Sequence, residues 1–513
     1  MPFSSKTPSV GELMSSPVVT ALPDETVADA ATRMRDASVG SVVVVDGDRP
    51  IGILTERDLV RWGAAGVDPG ASKVAEWMTS EPEVVAPGTP VQEAYDTLAS
   101  HGFRHIPVVD DDRLVGIVSS RDLLRIASIQ PVVDPGLIDA PPGLEGVVVA
   151  ETTVGDVRGL EGFYHYRQYN AVELADKRRL EDVWHLLFEG RLPTAAERDT
   201  FLDEVRPLRQ VPAAVSTVLP AIAEGSQSIM EGVRTAVSLV GAAEGYRATL
   251  DIDHAERRRN ALQLCAVIPT LIMSIHRLKA GEAPIGPRDD LGYGANYLWM
   301  MSGEEPDPEA GRGVEQYQMT TIDHGFNAST FTARVITSTG ADVAAAVVGG
   351  IGALSGPLHG GAPSRALDLL DAIGTVENAR PYLIDAVTRG EKIMGFGHRV
   401  YKTDDPRSVF LRGVAERIGA EKIEFAKVVE QTVVDVLAEL KPGRNLYANV
   451  EFYAGVVMDH CGLPRELFTP TFASSRVIGW CANILEQAAD NRIIRPSAKY
   501  VGPPPPQPVP DPS

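Results

Sequence analysis

Three histidines stand in glycine-rich, polar surroundings: His324 in Asp323-His-Gly-Phe-Asn327, His359 in Gly356-Pro-Leu-His-Gly-Gly361, and His398 in Gly395-Phe-Gly-His-Arg399. No two lie at i, i+3 or i+4, so they make no single-helix metal site, and zinc is a poor fit. The glycines around His359 and His398 let a ligand approach the backbone closely. Imidazoles placed this way suit hydrogen bonding or proton transfer to a reacting oxygen. The plain alternative for each is a buried histidine satisfied by its neighbours. Downstream come Arg407 in Thr403-Asp-Asp-Pro-Arg407, Glu451 in Asn449-Val-Glu451, Arg476 in Ser474-Ser-Arg476, and Arg495 before Pro496. Guanidinium forks match carboxylates in pairs better than lysines do.

The background against which these cations stand is acidic: 69 Asp and Glu oppose 48 Lys and Arg, for a net charge of −21. Such a field repels phosphate backbones and anionic membranes, which makes nucleic acid and lipid surfaces poor partners. An anionic substrate then needs a local cluster of Arg or His. The opening residues lack the apolar run of a signal peptide, and apolar stretches such as 266–275 and 343–354 are too short or glycine-rich to span a bilayer. Cys265, Cys461 and Cys481 show no CxxC pairing, which fits buried free thiols in a reducing compartment. The expectation is a soluble, cytoplasmic protein.

The elements that must position the chemistry divide along the 513 residues into several domains. Residues 10–60 and 74–124 repeat at a spacing of 64, pairing Met14 with Met78, Gly52 with Gly116 and Asp58 with Asp122. Each copy opens with an amphipathic helix (Val27, Ala30, Ala31, Met34; Val91, Ala94, Tyr95, Leu98). Two β-branched runs follow, split by the turns Gly47-Asp48 and Asp111-Asp112. A further helix is expected near Asp58 and Asp122, giving small α+β units that bury their sheets only against each other. A proline-rich linker covers 129–146, a mainly helical region 147–500, and a proline-rich, disordered tail 501–513. Within the helical region, Leu180, Val183, Trp184, Leu187 and Phe188 form a stripe closed by Gly190, and Thr194 to Glu197 reads as a capping box.

Each repeat carries a glycine, two apolar residues, a hydroxyl, two spacers and an aspartate: Gly52-Ile-Leu-Thr55-Glu-Arg57-Asp58 and Gly116-Ile-Val-Ser119-Ser-Arg121-Asp122. This run resembles the CBS-domain pair, with repeats at 9–70 and 71–128. The resemblance implies an adenine nucleotide as regulator, the aspartates on ribose hydroxyls and Thr55 or Ser119 near phosphates. Arg57 and Arg121 would add phosphate contacts. The alternative is that Thr55/Asp58 and Ser119/Asp122 cap helices.

The GPLHGGA, GFGHRVYK–DPR and NVE–FYAG blocks, in this order, resemble the citrate synthase family over 147–500. That resemblance implies an all-α fold with a small closing domain at roughly 360–460, and an acyltransferase condensing acetyl-CoA with oxaloacetate. It implies a homodimer or higher homo-oligomer with a shared active site, and no tightly bound cofactor. His324 would contact an oxaloacetate carboxylate. His359 would hydrogen-bond the thioester oxygen, and His398 would polarise the ketone. Arg407 and Arg476 would hold carboxylates, and Arg495 matches an arginine supplied across the dimer. Arg399 and Lys402 are the nearest cations for coenzyme A phosphates. A helix starting near Pro363 would keep His359 neutral.

Glu451 stands where the family places its general base, which is usually aspartate. The added methylene shifts a carboxylate by roughly 1 Å, a displacement that costs about 100-fold when nothing compensates it. An adapted loop, a slower enzyme, or a preference for propionyl-CoA (a 2-methylcitrate synthase) each accommodate it. A nucleotide sensor with a decayed catalytic domain is the reading of another class.

Overall fold

A computed structural model describes residues 9–68, 70–101, 103–120, 122, 139–360, 363–397, 401, 403–441 and 446–503. The chain forms two compact units, Met1–Val147 with Pro496–Ser513, and Val148–Arg495.

In the first unit the leading repeat runs β1 (Thr20–Ala21), α1 (Val27–Ala37), β2 (Ser41–Asp46), β3 (Arg49–Thr55) and α2 (Glu56–Ala64). Next come α3 (Val74–Trp77), β4 (Thr79–Ser80), α4 (Val91–His101), β5 (His105–Asp110) and β6 (Arg113–Ser119). The strands form two antiparallel hairpins, with Ser41 opposite Thr55 and His105 opposite Ser119. Their turns place Gly47, Asp111 and Asp112 at positive φ, which suits Gly and Asp.

The repeats do not rely on each other's sheets for burial. Each has its own apolar core, Ala30, Met34, Val42, Val44 and Leu54 in one, and Ala94, Leu98, Ile106, Val108 and Val118 in the other. The leading segments are what cross over. Val10 and Met14 pack into the second core, and Val74, Trp77 and Met78 into the first. Ser15 bridges Ile117, and Ser80 pairs with Gly52. Gly52 and Gly116 recur because a Cβ there would sit 2.3 Å from Met78 Sδ and 2.4 Å from Met14 Sδ.

The second unit begins with a three-stranded sheet, β7 (Gly155–Arg158), β8 (Phe163–Tyr166) and β9 (Tyr169–Asn170), the exception within a helical fold. Helices α5 (Ala171–Lys177), α6 (Leu180–Glu189), α7 (Ala195–Val205), α8 (Ala213–Gly225) and α9 (Ile229–Ala243) follow. Next are α10 (His254–Lys279), α11 (Tyr293–Ser302), α12 (Pro308–Thr321), α13 (Ala328–Ser338) and α14 (Val343–Leu354). The remainder are α15 (Pro363–Ile373), α16 (Val376–Thr388), α17 (Pro406–Arg417), α18 (Ile423–Leu440), α19 (Val450–His460) and α20 (Phe468–Ala489). Every residue from Leu180 to Leu187 is buried, so α6 is enclosed on all faces and not only along its apolar stripe, and Gly190 ends it at φ 77°. The Thr194–Glu197 capping box starts α7.

Helices α10 and α20 pack together at the centre, and both are buried along most of their length. Among the described residues α10 alone is long and apolar enough to cross a membrane, yet 83% of that apolar stretch is buried within the protein. Cys265, Cys461 and Cys481 are buried free thiols. The second repeat beyond Asp122, residues 129–138 of the linker, and the tail beyond 503 lie outside the described residues.

Candidate active site

The loop after α12 carries Asp323 and His324, turned by Gly325 at φ 59°. His324 Nε2 lies 3.0 Å from Tyr401 Oη, and the ring of Tyr164 from β8 sits 5.6 Å from the imidazole, centre to centre. Tyr164 and Tyr401 also face the Arg407 guanidinium, at 6.0 and 5.8 Å.

Arg407 follows Pro406 at the start of α17, where proline costs no hydrogen bond. Asp405 is the N-cap and does two jobs. It accepts the Arg407 backbone N–H, and it grips the guanidinium at 3.0 Å (Nε to Oδ1) and 2.7 Å (Nη2 to Oδ2). Both residues are buried. Burial pulls the Arg407 pKa down, but Asp405 more than reverses it, so the guanidinium keeps its charge.

Asp405 Oδ2 also accepts Val450 N–H at 3.1 Å, tying Arg407 to the first turn of α19 and so to Glu451. Asn449 caps that helix, accepting Glu451 N–H at 3.1 Å. The Glu451 Oε2 atom is buried without a hydrogen-bond partner. Burial pushes the carboxyl pKa up to about 8, with Arg407 opposing and Asp405 reinforcing the shift.

Arg476 lies within α20 at 1% exposure. Its Nε donates to the Thr321 carbonyl at 2.7 Å, and Phe472 stacks 4.6 Å from the guanidinium carbon. Burial lowers its pKa to about 10, and neighbouring Asp323 opposes that shift. Burial raises Asp323 itself to about 6, against the pull of Arg476.

His359 occupies the turn between α14 and α15. Its Nε2 faces Ser329, 2.8 Å from Oγ and 3.4 Å from the backbone N. The longer backbone contact suits an accepting Nε2, whereas the closer hydroxyl, whose proton goes to Asn327 Oδ1, suits an Nε2–H that donates. Ser329 is held in turn by Trp480 Nε1 (3.1 Å) and Asn327 Oδ1 (2.8 Å). Burial first, then Arg476, lowers the His359 pKa to about 4. Burial and the nearby guanidinium thus favour the neutral ring.

His398, Arg399 and Lys402 lie outside the described residues. The glycine before His398 is placed: Gly397 N–H donates to the Tyr447 carbonyl, and its own carbonyl accepts from Asn449 Nδ2. Arg495 is exposed beyond α20 and forms no hydrogen bond or ion pair among the described residues. Nothing in the local sequence marks Asp323, Ser329 or Tyr401 as partners of the site. Only Asp405 carried a local signal, an aspartate directly before a helix-starting proline.

In the repeat unit, Asp58 Oδ2 accepts from Thr55 N (3.0 Å) and Oγ1 (2.7 Å), and Asp122 Oδ2 accepts from Ser119 N (3.0 Å) and Oγ (2.6 Å). Asp58 completes the capping box at the start of α2, and its Oδ1 also takes Arg61 at 3.4 Å. Arg57 is exposed, and Arg121 lies outside the described residues. No cluster of three metal-binding side chains occurs among the described residues.

The citrate synthase C-terminal domain model matches residues 143–497. The chain belongs to the citrate synthase family. It is thus an acyltransferase by family, and CBS-domain models match residues 10–65 and 74–129. The citrate synthase of Deinococcus radiodurans is 38% identical over 365 residues, covering 70% of this chain and 95% of that protein. The Thermotoga maritima citrate synthase structure superimposes with TM-score 0.64 at 33% identity, covering 72% of this chain and 98% of its own. The Thermoplasma acidophilum citrate synthase, solved as a ternary complex with carboxymethyl coenzyme A and oxaloacetate, gives 0.66 at 28% identity, covering 72% and 97%.

Proposed function

We propose that the chain condenses acetyl-CoA with oxaloacetate and water to citrate and coenzyme A. The observation that carries this reading is the buried Glu451 Oε2 without a hydrogen-bond partner, on a helix start tied through Asp405 to Arg407. A thioester methyl is a weak acid, so its deprotonation needs a poised carboxylate and a donor to the oxygen that becomes an enolate. Glu451 takes the proton from carbon. His359, neutral, donates to the thioester oxygen. Arg407 and Arg476 hold the carboxylates of oxaloacetate with His324, and His398 polarises the ketone and protonates the alkoxide as the new carbon–carbon bond forms. Water then hydrolyses the citryl thioester and releases the thiol. Arg495, exposed on one chain, serves the site of a partner subunit, and Arg399 and Lys402 hold coenzyme A phosphates.

Thiol release with oxaloacetate and either acetyl-CoA or propionyl-CoA, followed by mass analysis of the product, tests the assignment. Citrate as the faster product is expected. Faster 2-methylcitrate formation overturns the acyl preference, and no thiol with either overturns the enzyme reading.

The CBS pair is the regulatory half of the proposal. Asp58 and Asp122 spend Oδ2 on the hydroxyl residue before them, and their second oxygens take ribose hydroxyls, Asp58 Oδ1 giving up its 3.4 Å contact with the exposed Arg61, beside the α2 start that favours phosphate. Calorimetry of the full chain with AMP, ADP and ATP is expected to give heats lost in an Asp58→Ala/Asp122→Ala variant. Heats equal in that variant and the parent place the nucleotide elsewhere.

A further inference from the structure

Away from the condensation residues, the second unit holds a cavity of about 350 Å3 lined by Lys177, Arg178, Arg179, Asp182, Arg198 and Arg312. Five of the six lining residues are cations, in a chain of net charge −21. The volume is that of a small-molecule site. It forms where the end of α5 meets the starts of α6, with α7 and α12 as walls.

The cations nearest the core are oriented by carboxylates beneath them. Glu315 is buried and takes Arg179 at 3.1 Å, Arg312 at 2.8 Å and the Leu180 N–H at 2.9 Å. Arg312 is further fixed on the carbonyls of Ala175 (2.8 Å) and Asp176 (3.1 Å). Asp182, buried at 2% exposure, faces Arg198 at 3.5 Å. The start of α6 is already capped by Asp182 and Glu315, so backbone N–H groups are not the attraction.

Two features are left over after this internal pairing. Arg178 is exposed and forms no ion pair among the described residues, and Lys177 meets only Glu173, across a solvent-exposed pair. Asp182 Oδ1 is buried without a donor. The unspent positive charge calls for an anion, and the orphan oxygen calls for a hydroxyl or amine on the same molecule. Guanidinium forks held from behind match a phosphate group.

We propose that this cavity is a second ligand site, taking a phosphate-bearing small molecule with an adjacent hydrogen-bond donor, and that it is coupled to the condensation site through α12. That helix carries Arg312 in the cavity wall and ends at Thr321, whose carbonyl holds Arg476. The separation along the helix is about 14 Å at 1.5 Å per residue. Gln316, between them, accepts a hydrogen bond from Arg417 of α17, the helix that begins with Arg407. A ligand that shifts Arg312 therefore acts on the two helices bearing the carboxylate-binding arginines. The coupling rests on the reading of Arg407 and Arg476 given above; the site itself does not.

Titration calorimetry of the full chain with inorganic pyrophosphate tests the site without relying on catalysis. Saturable binding is expected, weakened at least tenfold in Lys177→Ala/Arg178→Ala, whose side chains are exposed and carry little of the fold. Arg407→Gln and Asp58→Ala/Asp122→Ala are expected to bind as the parent does. Absence of saturable binding, parent-like affinity in the double alanine variant, or loss of binding in either control overturns the site. In thiol-release assays pyrophosphate is expected to change the KM for oxaloacetate in the parent and not in the double alanine variant. Binding at the cavity with an unchanged KM overturns the coupling alone.

Discussion

Asp405 holds Arg407 through both carboxylate oxygens, at 3.0 and 2.7 Å, while its Oδ2 also takes the N–H of Val450, the residue before Glu451. One buried carboxylate thereby sets the starts of α17 and α19 against each other. The proposed anion-binding arginine and the proposed base cannot move independently.

Asp405→Asn is expected to cost about 3–5 kcal/mol of stability, because it leaves a buried guanidinium without its counter-charge. The KM for oxaloacetate is expected to rise in the same variant, since Arg407 loses its orientation. Urea unfolding and steady-state kinetics measure the two effects. A variant as stable as the parent, with unchanged KM, shows the pair to be dispensable.

Glu451 must be ionised to act as base, so kcat/KM is expected to rise with pH through about 8, the value to which burial lifts it. Glu451→Gln is expected to lower kcat by about 100- to 10,000-fold. The stability sign follows from the same raised pKa: the favourable contribution is complete below the unfolded value and is lost as pH rises through about 8. The glutamine variant escapes that loss, so its stability relative to the parent is expected to be greater at pH 9 than at pH 6. Equal pH dependence in both proteins argues against Glu451 as the titrating group.

With a pKa of about 4, His359 stays neutral throughout the neutral range and contributes no acid limb to the rate profile above pH 5. Ser329→Ala removes the hydroxyl beside Nε2 and frees the ring to rotate; a loss of about 10- to 100-fold in kcat is expected for such a misplacement. Imidazole NMR titration and kinetics of the variant report on this, and an unchanged kcat discards the Ser329 contact.

Gly116→Ala drives a Cβ into Met14, 2.4 Å away, and Gly52→Ala does the same to Met78 at 2.3 Å. Because thioether side chains bend, each substitution is expected to cost about 1–3 kcal/mol rather than abolish folding. Hydrogen exchange is expected to quicken at Ser15 and Ile117 in the first variant and at Gly52 and Ser80 in the second. Uniform protection in both shows that the crossed segments are not held by these contacts.

Much of this protein was legible in its sequence because the relevant signals are local or periodic. The 64-residue repeat, the hairpin turns at Gly47 and Asp111, the α6 stripe ended by Gly190, and the glycine-flanked histidines depend on residue types at short spacing. What sequence could not convey was which segment meets which. Met14 and Met78 align with each other in the repeat, yet each packs beneath the glycine of the opposite copy, a choice made by the crossing of the leading segments. Likewise Asp323, Ser329 and Tyr401 acquire their places beside Arg476, His359 and His324 only when segments far apart in the chain converge, and Asp405, local to Arg407, meets Val450 in the same way. The altered pKa values of Glu451 and His359 have the same origin: desolvation is a property of the packed interior, which a linear list of residues does not contain.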